Sequence, residues 1–287
     1  MSVANRTLVE DPLVAGQAWL RPYGITAVAR DAGIVEAIPD TISLDALRRN
    51  DPSYTNLLNF FVRFFPPSKP PAATGRRGHA SASLAGWPLT FSGARRNFVE
   101  SLAPYCVMSY LLQLKDRHNA NLLLDAQGHL VHIDYGFVFE SSPGRNMQWE
   151  QAPFKLTSEM VALICADDDG NESSSPERFT AFRGLCGRCF LALRRHSHQV
   201  SSLAMLMLQS NLFKWRAEWS LFFIMLQLTI LVDVMAAGHG DFTCWQGLPQ
   251  EAAESFRDRF QLELSSNQVS AKGRRVSVRP PALAPTS

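Results

Sequence analysis

Two short polar segments of this 287-residue chain hold residue types that phosphoryl transfer requires. The first reads DRHNAN over residues 116–121, and the second reads IDYG over residues 133–136. Transfer of a phosphoryl group needs a divalent cation bound by hard oxygen ligands, and a group that orients and deprotonates the attacking hydroxyl. Asp116 and Asn121 have D-x-x-x-x-N spacing, which can place a base and a metal ligand in one loop, and Asp134 is a candidate metal ligand.

The elements around these segments are predicted to bring them together. Apolar residues spaced by three, four and seven positions predict a helix with one buried face that ends before Lys115: Phe98, Leu102, Tyr105 and Leu112. Two short strands at residues 122–124 and 130–133 flank the polar turn DAQG, which is typical of a β-hairpin. Because a hairpin reverses the chain, the segments before and after it should lie side by side.

Other elements are predicted upstream and downstream. ITAVA and GIVEAI, between residues 25 and 38, indicate two strands separated by a turn, and residues 41–45 offer a helix start. Beyond Thr157 the chain is predicted to be helical, with a polar break at residues 167–176 and a longer helix at residues 179–208. The chain therefore mixes strands and helices.

Three segments are predicted to lie outside the ordinary packed domain. A Pro-, Ala-, Gly- and Ser-rich insertion at about residues 63–95 and a tail at residues 265–287 are predicted to be disordered. An apolar insertion is expected at about residues 211–231. Its apolar part, residues 219–232, is shorter than the roughly twenty residues that cross a bilayer. A buried helix, an interfacial helix and translated intron sequence stay open as its origin.

Composition excludes some classes of function. The net charge of +2 is too small to indicate a nucleic-acid partner. The N-terminus has no basic region followed by an apolar run, so we expect no secretory signal and a cytosolic compartment. Five cysteines indicate no disulfide framework. Cys186 and Cys189 have C-x-x-C spacing, but no second pair completes a zinc site, so helix packing is favoured over a metal or redox role.

DRHNAN followed by HIDYG resembles the phosphatidylinositol 3- and 4-kinase family and the related large protein kinases. Residues 97–161 are similar to the type III beta phosphatidylinositol 4-kinases almost throughout. WLRPY at residues 19–23 and GIVEAIP at residues 33–39 resemble the strand and hinge of that family. The resemblance implies an α+β, protein-kinase-like fold with an N-lobe sheet remnant and hinge at residues 1–39 and a mainly helical C-lobe at residues 40–264.

The resemblance implies a role for each polar residue of the two segments. Asp116 and His118 would share the proton of the attacking hydroxyl, and either is a candidate base. Asn121, in the catalytic loop, and Asp134 would bind Mg²⁺ or Mn²⁺. Arg117 would anchor the loop. Taken singly, each residue also fits an ordinary structural position, but their joint occurrence with a hinge favours a kinase.

The resemblance also implies the substrates. The Glu36 carbonyl and the Ile38 N–H would bond to the adenine of ATP. The activation loop runs from Phe137 to Lys155, and its only basic residues are Arg145 and Lys155. Family members that act on multiply phosphorylated lipids carry a basic cluster there. We therefore expect phosphorylation of the 4-hydroxyl of phosphatidylinositol at intracellular, Golgi-type membranes, with regulatory protein partners left open.

Two features depart from the family pattern. No lysine precedes Lys69, and no G-x-G turn precedes the strand at Ile25. Kinases hold ATP phosphates with such N-lobe groups, so this chain is expected to bind nucleotide weakly and to turn over slowly. A noncatalytic pseudokinase or scaffold and a serine/threonine protein kinase of the same superfamily stay open as alternatives. The joint presence of Asp116, Asn121 and Asp134 weighs against the scaffold.

Overall fold

The computed structural model describes residues 1–14, 16–29, 32–66, 89–138, 143, 152–172, 175–209 and 259. The helices of this part are α1 (Ser2–Glu10), α2 (Leu44–Asn50), α3 (Leu57–Phe64), α4 (Phe91–Leu112), α5 (Ser158–Cys165), α6 (Pro176–Arg195) and α7 (Ser197–Gln209). The strands are β1 (Ile25–Ala29), β2 (Ala32–Val35), β3 (Thr41–Ser43), β4 (Leu122–Asp125) and β5 (Leu130–His132), and a 3₁₀ turn covers Asn119–Asn121. The predicted α+β class is confirmed.

The predicted hairpin lies in a three-stranded antiparallel sheet with the order β3-β4-β5. Leu124 of β4 pairs with Ile42 of β3 on one side and with Leu130 of β5 on the other. In the hairpin turn, Gly128 has a φ of +87°, and a Cβ there would lie 2.8 Å from the Ala94 carbonyl oxygen. The turn therefore needs glycine both for its backbone conformation and for its close approach to α4.

The core is built around α4. Phe98 and Tyr105 on this helix are fully buried, which confirms the predicted apolar face. Pro104 lies inside α4 and lacks the N–H that would bond to the Glu100 carbonyl. The Trp19 N–H donates to that carbonyl instead, at 3.0 Å. The proline thereby leaves the Glu100 carbonyl available as an acceptor, and its hydrogen bond with Trp19 attaches the chain upstream of β1 to α4.

The N-terminal helix shares its core with the later helices. Ala4 and Leu8 of α1 belong to the same buried cluster as the apolar residues of α4 and α6. Asp11, just after α1, is buried and pairs with Arg195 of α6 at 3.1 Å. The predicted N-lobe remnant at residues 1–39 therefore has two parts. The helix α1 packs on the helical region, whereas the residues of β2, which pairs with β1, are exposed.

Two predicted boundaries are wrong. The insertion predicted to be disordered at about residues 63–95 is too wide, because the end of α3 and the first turn of α4 fall within it. Thr90 caps α4 by accepting a hydrogen bond from the Gly93 N–H, which starts the helix earlier than its apolar pattern indicates. The helix predicted at residues 179–208 is two helices that meet at His196.

Several predictions lie outside the described residues: the apolar insertion at residues 211–231, the tail at residues 265–287 and residues 67–88 of the first insertion. Cys186 and Cys189 lie on α6, as the helix-packing interpretation of their spacing predicted. Among the helices that the structure describes, none is long and apolar enough to cross a membrane.

Candidate active site

α4 ends at Leu112, and Gln113, with a φ of 50°, turns the chain towards the DRHNAN segment. This segment is hydrogen-bonded to the residues around IDYG. The Lys115 N–H donates to the Phe137 carbonyl at 2.9 Å. The Ile133 N–H donates to the Asn121 carbonyl at 3.1 Å. These two hydrogen bonds place the two polar segments side by side, as the hairpin predicted.

Arg117 is the buried anchor of the segment. Its guanidinium donates to the carbonyl oxygens of Lys115 at 2.9 Å, of Ile133 at 2.7 Å, and of Asp134. The residue is 5% exposed, and its guanidinium lies 5.8 Å from the centroid of the Tyr135 ring. Burial lowers the pKa of Arg117 below its usual value. Because a planar guanidinium can serve several acceptors at once, one side chain joins both segments, in agreement with its predicted anchoring role.

Asn121 and Asp116 are linked inside the loop. The Asn121 Nδ2 donates to the Asp116 carbonyl at 2.9 Å, and the Asn121 backbone N–H donates to the His118 carbonyl at 3.0 Å. Asn121 is buried. Because its NH₂ group is bonded within the loop, its Oδ1 is the end of the amide that can ligate a cation. The structure thus brings together the two residues whose spacing indicated a kinase loop.

Asp134 and Asp116 both have left-handed backbone conformations, with φ values of 58° and 60°. Such values are uncommon outside glycine and concentrate at functional sites. The exposed side chain of Asp134 accepts a hydrogen bond from the Gly136 N–H at 3.1 Å through Oδ1. A Cβ on residue 136 would lie 3.1 Å from that same oxygen, so Gly136 leaves room for the carboxylate.

The two candidate bases lie next to each other. The distance between Asp116 Oδ2 and His118 Nε2 is 3.7 Å, which is longer than a hydrogen bond. Their side chains are 29% and 54% exposed. Catalytic hydrogen bonds often shorten only when substrate is bound, so this distance is compatible with either group as the base, and the role of both stays a prediction.

A buried aromatic cluster supports the IDYG segment. The His132 ring stacks on Tyr105 with centroids 4.4 Å apart, and the Tyr135 hydroxyl donates to the His132 carbonyl at 2.8 Å. Tyr23 stacks on Tyr135 with centroids 6.2 Å apart. Burial raises the pKa of Tyr23 to about 12 and lowers the pKa of His132 well below its usual value. The side chains of the cluster are therefore neutral at neutral pH, and they support the backbone next to Asp134.

Glu36 and Ile38 lie between β2 and β3. The Glu36 N–H donates to the Gly24 carbonyl at 2.8 Å, and the Glu36 carboxylate accepts from Arg21 at 2.9 Å and from the Gly24 N–H at 2.6 Å. The Ile38 carbonyl accepts from the Thr41 hydroxyl at 2.9 Å. None of these hydrogen bonds uses the Glu36 carbonyl or the Ile38 N–H. The adenine-binding role of these two groups stays a prediction.

The activation loop is described mainly at its ends. At one end, the Phe137 carbonyl accepts from Lys115, as described above. At the other end, the Lys155 Nζ donates to Asn119 Oδ1 at 2.8 Å. Arg145 lies outside the described residues. Both ends of the loop are therefore hydrogen-bonded to the catalytic region, one just before DRHNAN and the other within it.

Asn121 and Asp134 offer a donor set that suits Mg²⁺ or Mn²⁺. An amide oxygen and a carboxylate are hard ligands, and Mg²⁺ at nucleotide sites is held by few protein groups together with phosphates and water. In the described part of the chain, no group of three or more His, Cys, Asp or Glu residues could hold a metal ion. A cation held by Asn121 and Asp134 would complete its coordination with nucleotide phosphates and water.

Asn119 and Glu159 are two residues to which the sequence interpretation gave no role. Asn119 accepts the activation-loop bond just described, and its place inside DRHNAN was the available signal. Glu159 on α5 accepts hydrogen bonds from Arg48, from the Tyr54 hydroxyl and from the Leu57 N–H. Because these three partners lie about a hundred positions away in the sequence, no local pattern indicates them.

A D-x-x-x-x-N loop fixed beside a second aspartate on a mixed helix-and-sheet fold is the arrangement of kinases. Comparison with known proteins leads to the same class. The model of the phosphatidylinositol 3- and 4-kinase family matches residues 4–217. The chain therefore belongs to this family of kinases.

Individual relatives are similar over much of the chain. Phosphatidylinositol 4-kinase beta 1 of Arabidopsis thaliana is 35% identical over 250 residues, which are 87% of this chain and 18% of the relative. Phosphatidylinositol 4-kinase of Dictyostelium discoideum is 39% identical over 190 residues, 66% of this chain and 14% of the relative. Phosphatidylinositol 4-kinase beta of Xenopus tropicalis is 35% identical over 193 residues, 67% of this chain and 20% of the relative. The chain spans about a fifth or less of the length of these relatives.

Proposed function

We propose that this chain carries the catalytic loop and metal ligands of a 1-phosphatidylinositol 4-kinase. This enzyme transfers the γ-phosphoryl group of ATP to the 4-hydroxyl of phosphatidylinositol and yields phosphatidylinositol 4-phosphate. The observation that carries the proposal is the hydrogen-bond network of Arg117 and Asn121, which holds Asp116 and Asp134 in neighbouring loops. The family match supports the same reaction class.

The residues divide the work of phosphoryl transfer. Asp116 or His118, 3.7 Å apart, accepts the proton of the 4-hydroxyl as its oxygen bonds to the γ-phosphorus, the bond from that phosphorus to the β,γ-bridging oxygen breaks, and ADP leaves. Asn121 Oδ1 and the Asp134 carboxylate would hold Mg²⁺ or Mn²⁺ against the nucleotide. The bound cation supplies neutralisation of the charge on the phosphates. Positioning contributes most of the catalysis in such reactions, so the buried anchor Arg117 belongs to the machinery although it touches no substrate.

The choice of substrate has two supports. The relatives in Arabidopsis, Dictyostelium and Xenopus carry the name phosphatidylinositol 4-kinase. The activation loop has Arg145 and Lys155 as its only basic residues, which leaves few partners for additional phosphate groups on a headgroup. Unphosphorylated phosphatidylinositol is therefore the proposed acceptor. Association with Golgi-type membranes and with regulatory proteins stays a prediction.

The test is a lipid kinase assay with identification of the phosphorylated ring position. It compares the 287-residue chain with the same chain preceded by the matching upstream segment of the Arabidopsis relative. Because no lysine precedes Lys69, we expect slow turnover by the chain alone and faster turnover by the extended form. Asp116→Asn in the extended form is expected to turn over far more slowly.

The outcomes separate the alternatives. Phosphate at ring position 4 supports the proposal. Phosphate at position 3, or on a protein serine or threonine in place of the lipid, contradicts it. Absence of product from both forms, with no binding of Mg²⁺ and ATP in a thermal-shift measurement, also contradicts it and favours a scaffold.

A further inference from the structure

Three successive backbone N–H groups attach the chain upstream of β1 to the helical region. Their hydrogen bonds run from Trp19 to the Glu100 carbonyl at 3.0 Å, from Leu20 to Asn5 Oδ1 at 3.2 Å and from Arg21 to the Tyr105 hydroxyl at 3.2 Å. The acceptors belong to α1 and to two positions on α4. This segment is therefore fixed to two helices at three adjacent points.

Tyr105 continues the connection towards the metal-binding segment. Its side chain is fully buried, and its ring stacks on His132 with centroids 4.4 Å apart and planes inclined by 13°. His132 is two positions before Asp134. Burial raises the pKa of the Tyr105 hydroxyl, and the hydrogen bond from the Arg21 backbone offsets part of this rise. The hydroxyl therefore stays neutral at neutral pH, and one side chain contacts both segments.

Arg21 also connects Tyr105 to the predicted adenine contacts. Its guanidinium pairs with Glu36 Oε1 at 2.9 Å, and the Gly24 N–H donates to Glu36 Oε2 at 2.6 Å. The Glu36 N–H donates to the Gly24 carbonyl at 2.8 Å. The backbone predicted to meet adenine, at Glu36 and Ile38, is thus held by the segment that Tyr105 fixes.

We propose that Tyr105 is a positioning residue that fixes the adenine-binding segment at Glu36 and Ile38 relative to the metal ligand Asp134. This inference rests on the proposed kinase function and gives a role to a residue outside both polar segments. An ATP molecule bound for phosphoryl transfer contacts the hinge with its adenine and the divalent cation with its phosphates. The separation of the two segments therefore decides whether one nucleotide can reach both.

The two contacts of Tyr105 can be separated by one substitution. The stack on His132 depends on the ring, whereas the bond from the Arg21 N–H depends on the hydroxyl. Tyr105→Phe keeps the ring and leaves the Arg21 N–H without its acceptor, which costs more than the hydrogen bond itself contributes. In this variant each segment keeps its own structure, but the two are less firmly held relative to each other.

The test uses three probes that occupy different parts of the site. Adenosine reports on the adenine-binding segment, Mn²⁺ with inorganic tripolyphosphate reports on the metal ligands, and Mn²⁺ with ATP reports on both together. Their affinities for the 287-residue chain and for the extended form are measured by calorimetry for adenosine and by water proton relaxation for the two Mn²⁺ complexes. Tyr54→Phe is the matched control, because it also removes one hydroxyl hydrogen bond, which goes to Glu159 on α5 at 2.6 Å.

In Tyr105→Phe, we expect the affinity for Mn²⁺ with ATP to fall about three- to tenfold, because one hydrogen bond between neutral groups contributes on that scale. The affinities for adenosine and for Mn²⁺ with tripolyphosphate should change less than about twofold, since each of these probes contacts one segment only. The KM for ATP should rise by the same factor as the loss of affinity, while the KM for phosphatidylinositol stays unchanged. Tyr54→Phe should bind all three probes like the unmodified chain.

Tyr135→Phe is a second variant, on the metal side of the connection. Its hydroxyl donates to the His132 carbonyl at 2.8 Å, so its removal loosens the backbone on which Tyr105 stacks. Binding of Mn²⁺ with ATP should weaken more than binding of adenosine or of Mn²⁺ with tripolyphosphate. Thermal unfolding shows which variants are folded, and Tyr135→Phe decides the question if Tyr105→Phe is not.

Three results would overturn the inference. One is an unchanged affinity of the folded variant for Mn²⁺ with ATP. Another is an equal loss for all three probes, which indicates a general structural role. The third is an equal loss in Tyr54→Phe. A selective loss without any lipid product contradicts the proposed function but supports the positioning role, whereas product at ring position 4 without the selective loss contradicts the positioning role alone. Failure of both forms to bind Mn²⁺ with ATP contradicts both.

Discussion

Arg117 holds two loops together from a single buried position. Its donors are bonded to the carbonyls of Lys115, Ile133 and Asp134, which belong to both sides of the hairpin. Hydrogen bonds from a charged donor contribute about 1.5–3 kcal/mol each, more than neutral ones. A lysine at this position would keep the charge, but a single ammonium does not reproduce the planar arrangement of donors.

We therefore predict that Arg117→Lys lowers the free energy of unfolding by roughly 2–4 kcal/mol, because carbonyl acceptors in a buried site lose their donors. The kcat for phosphatidylinositol should fall, while KM changes little. Urea unfolding and steady-state kinetics measure the two effects. Arg49→Lys is the control, and its effect on unfolding should stay below about 0.5 kcal/mol because its side chain is exposed. Equal effects of the two variants would contradict the anchoring role.

Much of the site could be predicted from the sequence because the residues that form it are close together along the chain. Asp116 and Asn121 are five positions apart in one loop, and their spacing alone indicates that they share a site. The pairing of that loop with Asp134 follows from one short hairpin. The bond between Lys155 and Asn119 could not be predicted in this way, since it joins residues 36 positions apart and no local pattern links them.

Glu159 connects helices in the way that Arg117 connects two loops. Placed in the first turn of α5, its carboxylate joins that helix to Arg48 of α2, to the Tyr54 hydroxyl and to the Leu57 N–H at the start of α3. Burial, together with the hydrogen bond to the Glu159 carboxylate, raises the pKa of the Tyr54 hydroxyl. The neighbouring helices α2 and α3 thus meet α5, which is about a hundred positions away in the sequence, at one side chain.

Glu159→Ala is predicted to lower the free energy of unfolding by about 2–3 kcal/mol, because the Tyr54 hydroxyl and the Leu57 N–H lose their acceptor. Urea denaturation measures the change. Glu177→Ala, at the exposed first turn of α6, is the matched control and should cost only a few tenths of a kcal/mol. A loss no larger than that of the control would show that Glu159 does not join the helices.

Element boundaries were predictable where signals are close in sequence. The hairpin turn and the helix that follows Ser43 have local signals, and both are present. The strand β3 was missed because its partner β4 lies some eighty positions away, so its formation is a tertiary event. The early start of α4 depends on the cap at Thr90, which lies in a Pro- and Gly-rich context that suggested disorder.

Burial of His132 makes the free energy of unfolding of the whole chain depend on pH. Burial, helped by the charges of Arg117 and Lys155, lowers the pKa of His132 well below 6.5 in the folded state. Above pH 6.5 the side chain is neutral in both folded and unfolded chains, so it contributes no pH dependence. As the pH falls below 6.5, the unfolded chain takes up the proton first, and the free energy of unfolding decreases by at most about 1.4 kcal/mol per pH unit.

His132→Phe is predicted to remove this pH-dependent decrease in the free energy of unfolding, while the phenylalanine ring keeps the stack against Tyr105. The replacement is tolerable because His132 Nδ1 has no hydrogen-bond partner among the described residues. When the pH falls from 7.5 to 5.5, the free energy of unfolding should decrease less in the variant than in the unmodified chain, by up to about 1.4 kcal/mol. Urea denaturation measures the difference. His198→Gln on the exposed side of α7 is the control. An identical pH dependence in all three chains would show that the histidine is not held neutral.

We propose that Asn121 and Asp134 together bind one divalent cation. The most direct measurement is a titration of Mn²⁺ with ATP and the extended chain, followed by electron paramagnetic resonance of free Mn²⁺. Asp134→Asn is the variant to compare, because asparagine tolerates the left-handed backbone and still accepts from the Gly136 N–H. Strong depletion of free Mn²⁺ by the unmodified chain, and at least tenfold weaker binding by Asp134→Asn, is the predicted result. Equal binding by the two forms would contradict it.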